Sequence, residues 1–318
     1  MSLDPRVREL LDQMDFSAVT PKAGADPVAL RAARAAAVRN QGLAKRPGIK
    51  AENRVASGAQ SRVPVRIYWP EGPGPYPLLV YAHGGGWVLG DLDGVDDTCR
   101  ALAELAQCVV VSVDYRLAPE HRFPAAVEDV FHAFRWAVRE AASMNADPRM
   151  TAVGGDSAGG NLAAVVALRA RDEGGPIPGA QVLVYPITDY NFQTRSYQEN
   201  GDGYFLTREG MEWFWDQYLA RPEDGQHPWA SPLKAASLAG LPPAFVLTAE
   251  YDPLRDEGES YAARLQAEGV EVTSIRVDGL IHGFFTNAAW ALPQREESLQ
   301  RAAKFLRRVW TQKTREDA

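Results

Sequence analysis

The chain alternates between short apolar runs and longer segments in which apolar residues recur with helical spacing. Several of the runs are apolar almost throughout, as is typical of parallel strands buried on both faces. The runs predict strands over residues 62–70, 78–84, 109–115, 151–155, 182–186, 244–250 and 272–277. The segments between them predict helices over residues 95–107, 125–144, 158–172, 256–268 and 293–312. This alternation indicates an α/β fold with a mostly parallel sheet that is covered by helices.

Two regions depart from this alternation. Residues 1–50 have helical periodicity without a strand, and residues 187–240 form a long connection between two strands. The connection is rich in aromatic residues, and a connection of this length requires structure of its own or a function. We predict that residues 1–50 and the insert at 187–240 form a helical cap over one face of the sheet, and that residues 51–318 form the main domain.

Composition and charge exclude several classes of protein. The net charge of −7 argues against binding to nucleic acid or to an anionic membrane surface, because both require clustered basic residues. The two cysteines, Cys99 and Cys108, are interpreted as small buried hydrophobic residues rather than as a disulfide framework. The five histidines are scattered outside any metal-binding motif, so no metal is expected. No apolar run reaches the length of a signal peptide or a membrane span, and a cytoplasmic location is expected.

A glycine-rich stretch with one serine, GGDSAGG at 154–160, lies between a predicted strand and a predicted helix. A phosphate loop would need Lys and Ser or Thr after the second glycine, and no register gives the dinucleotide pattern G-x-G-x-x-G. Residues 155–159 instead match G-x-S-x-G, the pattern of a nucleophile elbow. Glycine fits on both sides of the serine because the sharp turn leaves no room for a side chain there. The stretch therefore predicts Ser157 as a nucleophile.

A serine nucleophile needs a base, and the base needs an acid that orients it. In α/β-hydrolases the acid and then the histidine follow the serine along the chain. Two histidines follow Ser157: His227 lies in the insert, whereas His282 comes just after the predicted strand at 272–277. Ligand chemistry gathers beyond the carboxyl ends of strands in open α/β sheets, so we predict His282 as the base.

The predicted strand at 244–250 is followed by several carboxylates. Asp252 lies in the loop just past the strand, whereas Glu250 is still at the strand end and Asp256 is placed to begin a helix. We predict Asp252 as the acid of the triad, with Glu250 and Asp256 as the alternatives.

A second glycine-rich loop, His83-Gly84-Gly85-Gly86-Trp87, follows the predicted strand at 78–84. Glycines let backbone N–H groups turn toward a substrate, where they stabilise the oxyanion of acyl transfer. The residue after the nucleophile, Ala158, is expected to supply one donor and the glycine loop the others. His83 precedes the nucleophile and is interpreted as a support for the loop rather than as the base.

These motifs together resemble those of the bacterial hormone-sensitive-lipase-like carboxylesterases, in the subgroup that carries GDSAG. The resemblance implies an α/β-hydrolase fold of about eight strands, flanked by helices and covered by a helical cap, with residues 51–318 as the catalytic domain. It implies a triad of Ser157, His282 and Asp252 and an oxyanion hole from Gly85, Gly86 and Ala158, with Gly84 as a further candidate. The motifs are HGGGW at 83–87, DYRLAPEHRFPAA at 114–126, GDSAGGNLA at 155–163, YDPLRDEG at 251–258 and HGF at 282–284.

The function expected from these residues is that of a serine carboxylesterase, which acts on small-molecule esters without a cofactor. The resemblance adds a preference for short to medium acyl chains and a homodimer joined near the last predicted strand. Two alternatives remain, an amidase or deacetylase and a non-catalytic small-molecule receptor. The sequence leaves three roles open for Asp156: it caps the helix, it lines the pocket, or it is only a feature of the subgroup. The candidate pocket walls are Trp87, Phe205, Leu206, Phe214 and Ile281.

Overall fold

The computed structural model describes residues 2–13, 20–41, 46, 48–58 and 61–316. Parts of the predicted N-terminal helical region, at 14–19, 42–45 and 47, lie outside the described residues. The strands are β1 (Lys50–Ser57), β2 (Arg62–Trp69), β3 (Tyr76–Ala82), β4 (Val109–Val113), β5 (Ala146–Asp156), β6 (Gln181–Val184), β7 (Ala244–Tyr251) and β8 (Val272–Ile281). The helices are α1 (Pro5–Gln13), α2 (Pro27–Gln41), α3 (Asp96–Ala106), α4 (Ala125–Arg139), α5 (Ala158–Glu173), α6 (Arg195–Asn200), α7 (Arg208–Tyr218), α8 (Arg255–Ala267) and α9 (Pro293–Glu316).

The eight strands form one sheet in the order β1-β2-β4-β3-β5-β6-β7-β8. β2 pairs antiparallel with both β1 and β4. The remaining five pairs, β4 with β3, β3 with β5, β5 with β6, β6 with β7 and β7 with β8, are parallel. All seven predicted strands are present, and the prediction of a mostly parallel α/β sheet is confirmed. The carboxyl ends of β3, β5, β7 and β8 therefore meet at one edge of the sheet, where ligand chemistry gathers in this class of fold.

Two hydrophobic cores cover the two faces of the sheet. Because successive side chains of a strand point to opposite faces, Val111 of β4 joins the core beneath α4, α5 and α8, whereas Val110 joins the core beneath α3 and α9. β4 is buried along its whole length, which explains why its sequence is apolar almost throughout. No helix in the described part of the chain combines the length and the apolarity needed to cross a bilayer.

The ends of several predicted elements differ from the structure, and one observed strand was not predicted. The helix predicted over 125–144 ends at Arg139, and a short 3-10 helix at Ala141–Met144 follows it. β3 ends at Ala82, so His83 and Gly84 belong to the loop and not to the strand. β1 has no counterpart among the predicted strands, because its residues alternate in burial and include several charged side chains instead of an apolar run.

The insert at 187–240 carries α6 and α7 together with two short 3-10 helices. Side chains at the beginning of each α-helix stabilise it: Thr194 accepts a hydrogen bond from Tyr197 N, and Thr207 accepts one from Gly210 N. Aromatic residues of α7 are buried, so most of the aromatic side chains noted in the sequence pack the insert onto the domain.

Candidate active site

Ser157 occupies the turn between β5 and α5. Its backbone has φ 55° and ψ −119°, a strained conformation for a residue with a side chain. A Cβ at Gly155 would lie 2.3 Å from the Gly159 carbonyl oxygen, and one at Gly159 would lie 1.9 Å from the Ala82 carbonyl oxygen. Both distances are far below contact, so the two glycines are required for the turn to press against β3. The turn presents the Ser157 hydroxyl beside the beginning of α5.

Ser157, His282 and Asp252 form a continuous hydrogen-bonded path. His282 Nε2 lies 3.0 Å from Ser157 Oγ, and His282 Nδ1 lies 2.7 Å from Asp252 Oδ2. Asp252 Oδ1 accepts a further hydrogen bond from Leu254 N at 2.9 Å. All three side chains are buried. An imidazole held in this way can accept the hydroxyl proton while the carboxylate fixes its tautomer.

The alternative candidates for acid and base lie in other contacts. Glu250 accepts a hydrogen bond from Gly279 N at 2.7 Å, and Asp256 accepts one from Ser196 N at 2.7 Å. His227, which lies in the insert, packs against the ring of Phe123 and accepts a hydrogen bond from Trp229 N. Each of these groups has a structural partner, and the structure brings Asp252 and His282 to the serine instead.

The glycine loop after β3 reaches the same site. Gly85 and Gly86 have φ of 120° and 59° and line the cleft that contains Ser157. Gly84 differs from them, because its N–H donates to Asp156 Oδ1 at 3.1 Å and is already engaged. The structure therefore does not favour Gly84 as an oxyanion donor. Ala158 is the first residue of α5, where backbone N–H groups have no partner within the helix.

Asp156 links the nucleophile turn to the glycine loop. Its Oδ1 accepts hydrogen bonds from the Tyr81 hydroxyl at 3.0 Å and from Gly84 N. Burial raises the pKa of this carboxyl group above its ordinary value, even though the Tyr81 hydrogen bond acts in the opposite direction. Of the three roles left open by the sequence, the structure favours a wall of the cleft that also holds the loop in place.

His83 supports the loop from beneath. Its ring stacks on Tyr115 at 4.3 Å between centroids, its Nδ1 lies 2.9 Å from Gly84 O, and its carbonyl oxygen accepts from the Tyr115 hydroxyl. Burial lowers the pKa of His83 from 6.5 to about 4. The ring is therefore neutral near neutral pH, and this agrees with a supporting position.

The low pKa of His83 makes the stability of the fold depend on pH. The unfolded chain binds this proton below its ordinary pKa of 6.5, whereas the folded chain binds it only below about 4. Stability is therefore lost as the pH falls through this window, by on the order of 3 kcal/mol in the free energy of unfolding. Urea unfolding across the window should show a steeper loss for the wild type than for His83→Phe, which keeps a ring against Tyr115. Parallel pH profiles of the two proteins would contradict this assignment.

The site opens into a cleft that encloses about 630 Å³ when the space open to solvent at its mouth is included. Three of the predicted pocket walls, Phe205, Leu206 and Phe214, line it, and two do not. Trp87 is fully buried, because its ring stacks on Tyr218 at 4.0 Å beneath the loop. Ile281 is fully buried in the core at the end of β8. Placing Trp87 and Ile281 in the pocket was therefore wrong.

Sequence reasoning missed about half of the cleft. Met211 lies one helical turn before Phe214 on α7, a spacing that could have identified it. Asn287 follows His282 within the same loop, and Arg34 comes from α2 with no motif to mark it. The further lining residues that were not predicted are Thr20, Pro21, Leu89, Gly283 and Thr286.

The sheet order and the serine, histidine and aspartate at its carboxyl edge define the class of the α/β-hydrolases. A sequence model for proteins of the alpha/beta hydrolase fold matches residues 79–286. The chain belongs to the α/β-hydrolase family.

Relatives specify the class further. The chain is 52% identical over 233 residues to the carboxylic ester hydrolase LipN of Mycobacterium tuberculosis, a match that covers 71% of this chain and 62% of LipN. It is 43% identical over 268 residues to the carboxylesterase NlhH of the same species, covering 83% of this chain and 84% of NlhH. The hyperthermophilic esterase of Pyrobaculum calidifontis superposes with a TM-score of 0.92 at 41% identity, covering 96% of this chain and 98% of that structure. The chain is a carboxylic ester hydrolase, and the resemblance to the hormone-sensitive-lipase-like esterases is confirmed.

Proposed function

We propose that the chain hydrolyses carboxylic esters through an acyl-enzyme on Ser157. The observation that carries the proposal is the path from Ser157 Oγ through His282 to Asp252, with distances of 3.0 Å and 2.7 Å. His282 Nε2 takes the hydroxyl proton as the oxygen attacks the ester carbonyl, and then gives it to the departing alcohol. Water, activated by the same nitrogen, releases the acid and restores the serine. The chain's own side chains supply every proton transfer in this sequence.

Backbone N–H groups of Gly85, Gly86 and Ala158 stabilise the oxyanion of the tetrahedral intermediate in this proposal. The positions of Gly85 and Gly86 in the cleft beside Ser157 support this role. The beginning of α5 adds the partial positive charge of a helix N-terminus.

Gly85→Ala is expected to lower kcat by about 10²- to 10³-fold, the cost of losing an oxyanion donor. A Cβ at Gly85 would lie 2.2 Å from the Leu89 carbonyl oxygen, so the loop must move and its N–H groups lose their position. Gly174→Ala is the matched control, because Gly174 also has a positive φ but no atom within 4 Å of the added Cβ. Steady-state kinetics with para-nitrophenyl butyrate measures both variants. Equal kcat values for the two would contradict the role of the loop.

The N-terminal helices and the insert at 187–240 act as a cap in this proposal. Thr20, Pro21 and Arg34 line the cleft from the N-terminal region, and Phe205, Leu206, Met211 and Phe214 line it from the insert. The two regions that depart from the α/β alternation therefore supply most of the apolar surface that a substrate would meet.

The cleft supports a small ester with a short to medium acyl chain, because mostly apolar walls with a few polar groups beside Ser157 are typical of small-molecule sites. We expect kcat/KM to be higher for para-nitrophenyl butyrate and hexanoate than for the palmitate ester, in a series measured under identical conditions. We also expect an aryl ester to be cleaved faster than the amide of the same acid. A preference for the amide would contradict the esterase assignment and favour a deacetylase.

The last strand supports the proposal of a homodimer. β8 lies at one edge of the sheet, and no strand that the structure describes pairs with its outer side, although Asp4 N donates to Gly279 O near its carboxyl end. Sedimentation analysis of the purified protein distinguishes a dimer from a monomer.

A further inference from the structure

The cleft is lined by three residues with acidic or basic side chains, Arg34, Asp156 and His282. His282 is held between Ser157 and Asp252, and Asp156 accepts from Tyr81 and Gly84. Arg34 differs from both, since no hydrogen bond or ion pair joins its guanidinium to any residue that the structure describes. Nothing in the proposed hydrolysis uses this positive charge.

The neighbouring arginine on the same helix shows what a structural role looks like. Arg31 lies nearly one turn before Arg34 on α2 and donates to Val88 O at 2.7 Å, to Ala118 O at 2.5 Å and to Glu120. These contacts fix α2 against the loops next to the sheet. Arg34 makes no such contact with any residue in the described ranges, although a guanidinium has five N–H donors. The donors of Arg34 are therefore available within the cleft.

The surroundings of Arg34 suit the recognition of an anion. Leu206, Met211 and Phe214 give the cleft apolar walls, which weaken the screening of a charge by water. Asp156 is close enough for the Arg34 charge to lower its pKa, but the two side chains form no ion pair. The planar fork of a guanidinium matches the two oxygens of a carboxylate better than any other side chain does.

We propose that Arg34 determines specificity by binding a carboxylate carried by the ester substrate, on its acyl or its alcohol part. The substrate class is then an ester that bears a negative charge at one end, such as the monoester of a dicarboxylic acid. This proposal rests on the proposed esterase function. In this proposal Arg34, on α2 of the cap, determines which substrates bind. Ser157, His282 and Asp252 carry out the bond-breaking steps.

The experiment compares charged esters with neutral esters of matched shape. For the acyl part, the pair is the para-nitrophenyl monoester of adipic acid and the ester in which an isopropyl group replaces the free carboxylate. For the alcohol part, the pair is para-carboxyphenyl acetate and para-isopropylphenyl acetate. The quantity measured is the ratio of kcat/KM for the charged ester to that for its neutral partner. The pair whose ratio responds to the variants identifies the part of the substrate that carries the anion.

Three variants complete the design. Arg34→Gln is expected to lower the ratio by about 10- to 100-fold, the effect of losing one charge-assisted hydrogen-bonded pair. Arg34→Lys keeps the charge without the fork and is expected to give an intermediate ratio. Arg39→Gln removes an exposed cation from the last turn of the same helix and should leave the ratio unchanged. Thermal unfolding of each variant confirms that it is folded.

The outcomes separate the two proposals. If Arg34→Gln leaves the ratio unchanged for both pairs of esters, or if Arg39→Gln lowers it equally, Arg34 does not recognise an anion. A parallel decrease for charged and neutral esters leaves the ratio unchanged and therefore also counts against the proposal. Failure of the wild type to hydrolyse any of the four esters, charged or neutral, would instead contradict the esterase function itself.

Discussion

Replacing Ser157 with alanine is expected to lower kcat for ester hydrolysis by about 10⁴- to 10⁶-fold, because no other group can form the acyl-enzyme. The alanine methyl group fits the same turn, so the fold and the cleft should stay intact. Hydrolysis of para-nitrophenyl butyrate measures the loss, and the far-ultraviolet circular dichroism spectrum measures the fold. Ser260→Ala, at an exposed position on α8, is the matched control and should retain full activity. Comparable activity in the two variants would contradict the assignment of the nucleophile.

Asp252→Asn is expected to lower kcat by about 10⁴-fold, although it changes the shape of the side chain very little. The amide oxygen can keep the hydrogen bond from Leu254 N, which directs the amide N–H₂ group toward His282 Nδ1. His282 must then accept at Nδ1 and carry its proton on Nε2. In this tautomer Nε2 cannot take the proton of Ser157, so the base is lost.

The matched control for Asp252→Asn is Asp278→Asn, an exposed aspartate on β8. It removes the same charge near the same edge of the sheet and should leave kcat unchanged. Both variants are measured by steady-state kinetics with para-nitrophenyl butyrate. If Asp252→Asn retains wild-type kcat, the carboxylate does not orient His282 and another acid must be sought.

The central strands of the fold were predictable because strands that are buried on both faces consist of consecutive apolar residues. β4, with VVVSV buried throughout, is the clearest example. β1 was not predictable in this way, because it pairs on one side only and its exposed positions carry charged side chains. The end of α4 was also missed, since residues 141–144 keep a helical composition after the α-helix has ended. Such boundaries depend on packing that local sequence does not record.

The hydrogen-bonded arrangement of Ser157, His282 and Asp252 was predictable because each residue directly follows a strand in an order that is typical of this class. The cleft was predictable only in part, because its walls come from parts of the chain that are far apart. Trp87 has the residue type of a pocket wall, yet contact with Tyr218, more than a hundred positions away, places it in the core. Asp156 could not be assigned from the sequence for the same reason, since its partners Tyr81 and Gly84 belong to a different strand and loop.

The most direct test of the account is to identify the residue that reacts with an activated phosphonate. A para-nitrophenyl alkylphosphonate should release stoichiometric nitrophenol, abolish esterase activity, and leave an adduct that peptide mass spectrometry places on Ser157. Ser157→Ala should release none, whereas Ser260→Ala should react as the wild type does. Stoichiometric labelling at another residue, or full activity after complete labelling of Ser157, would contradict the role of Ser157 as the nucleophile.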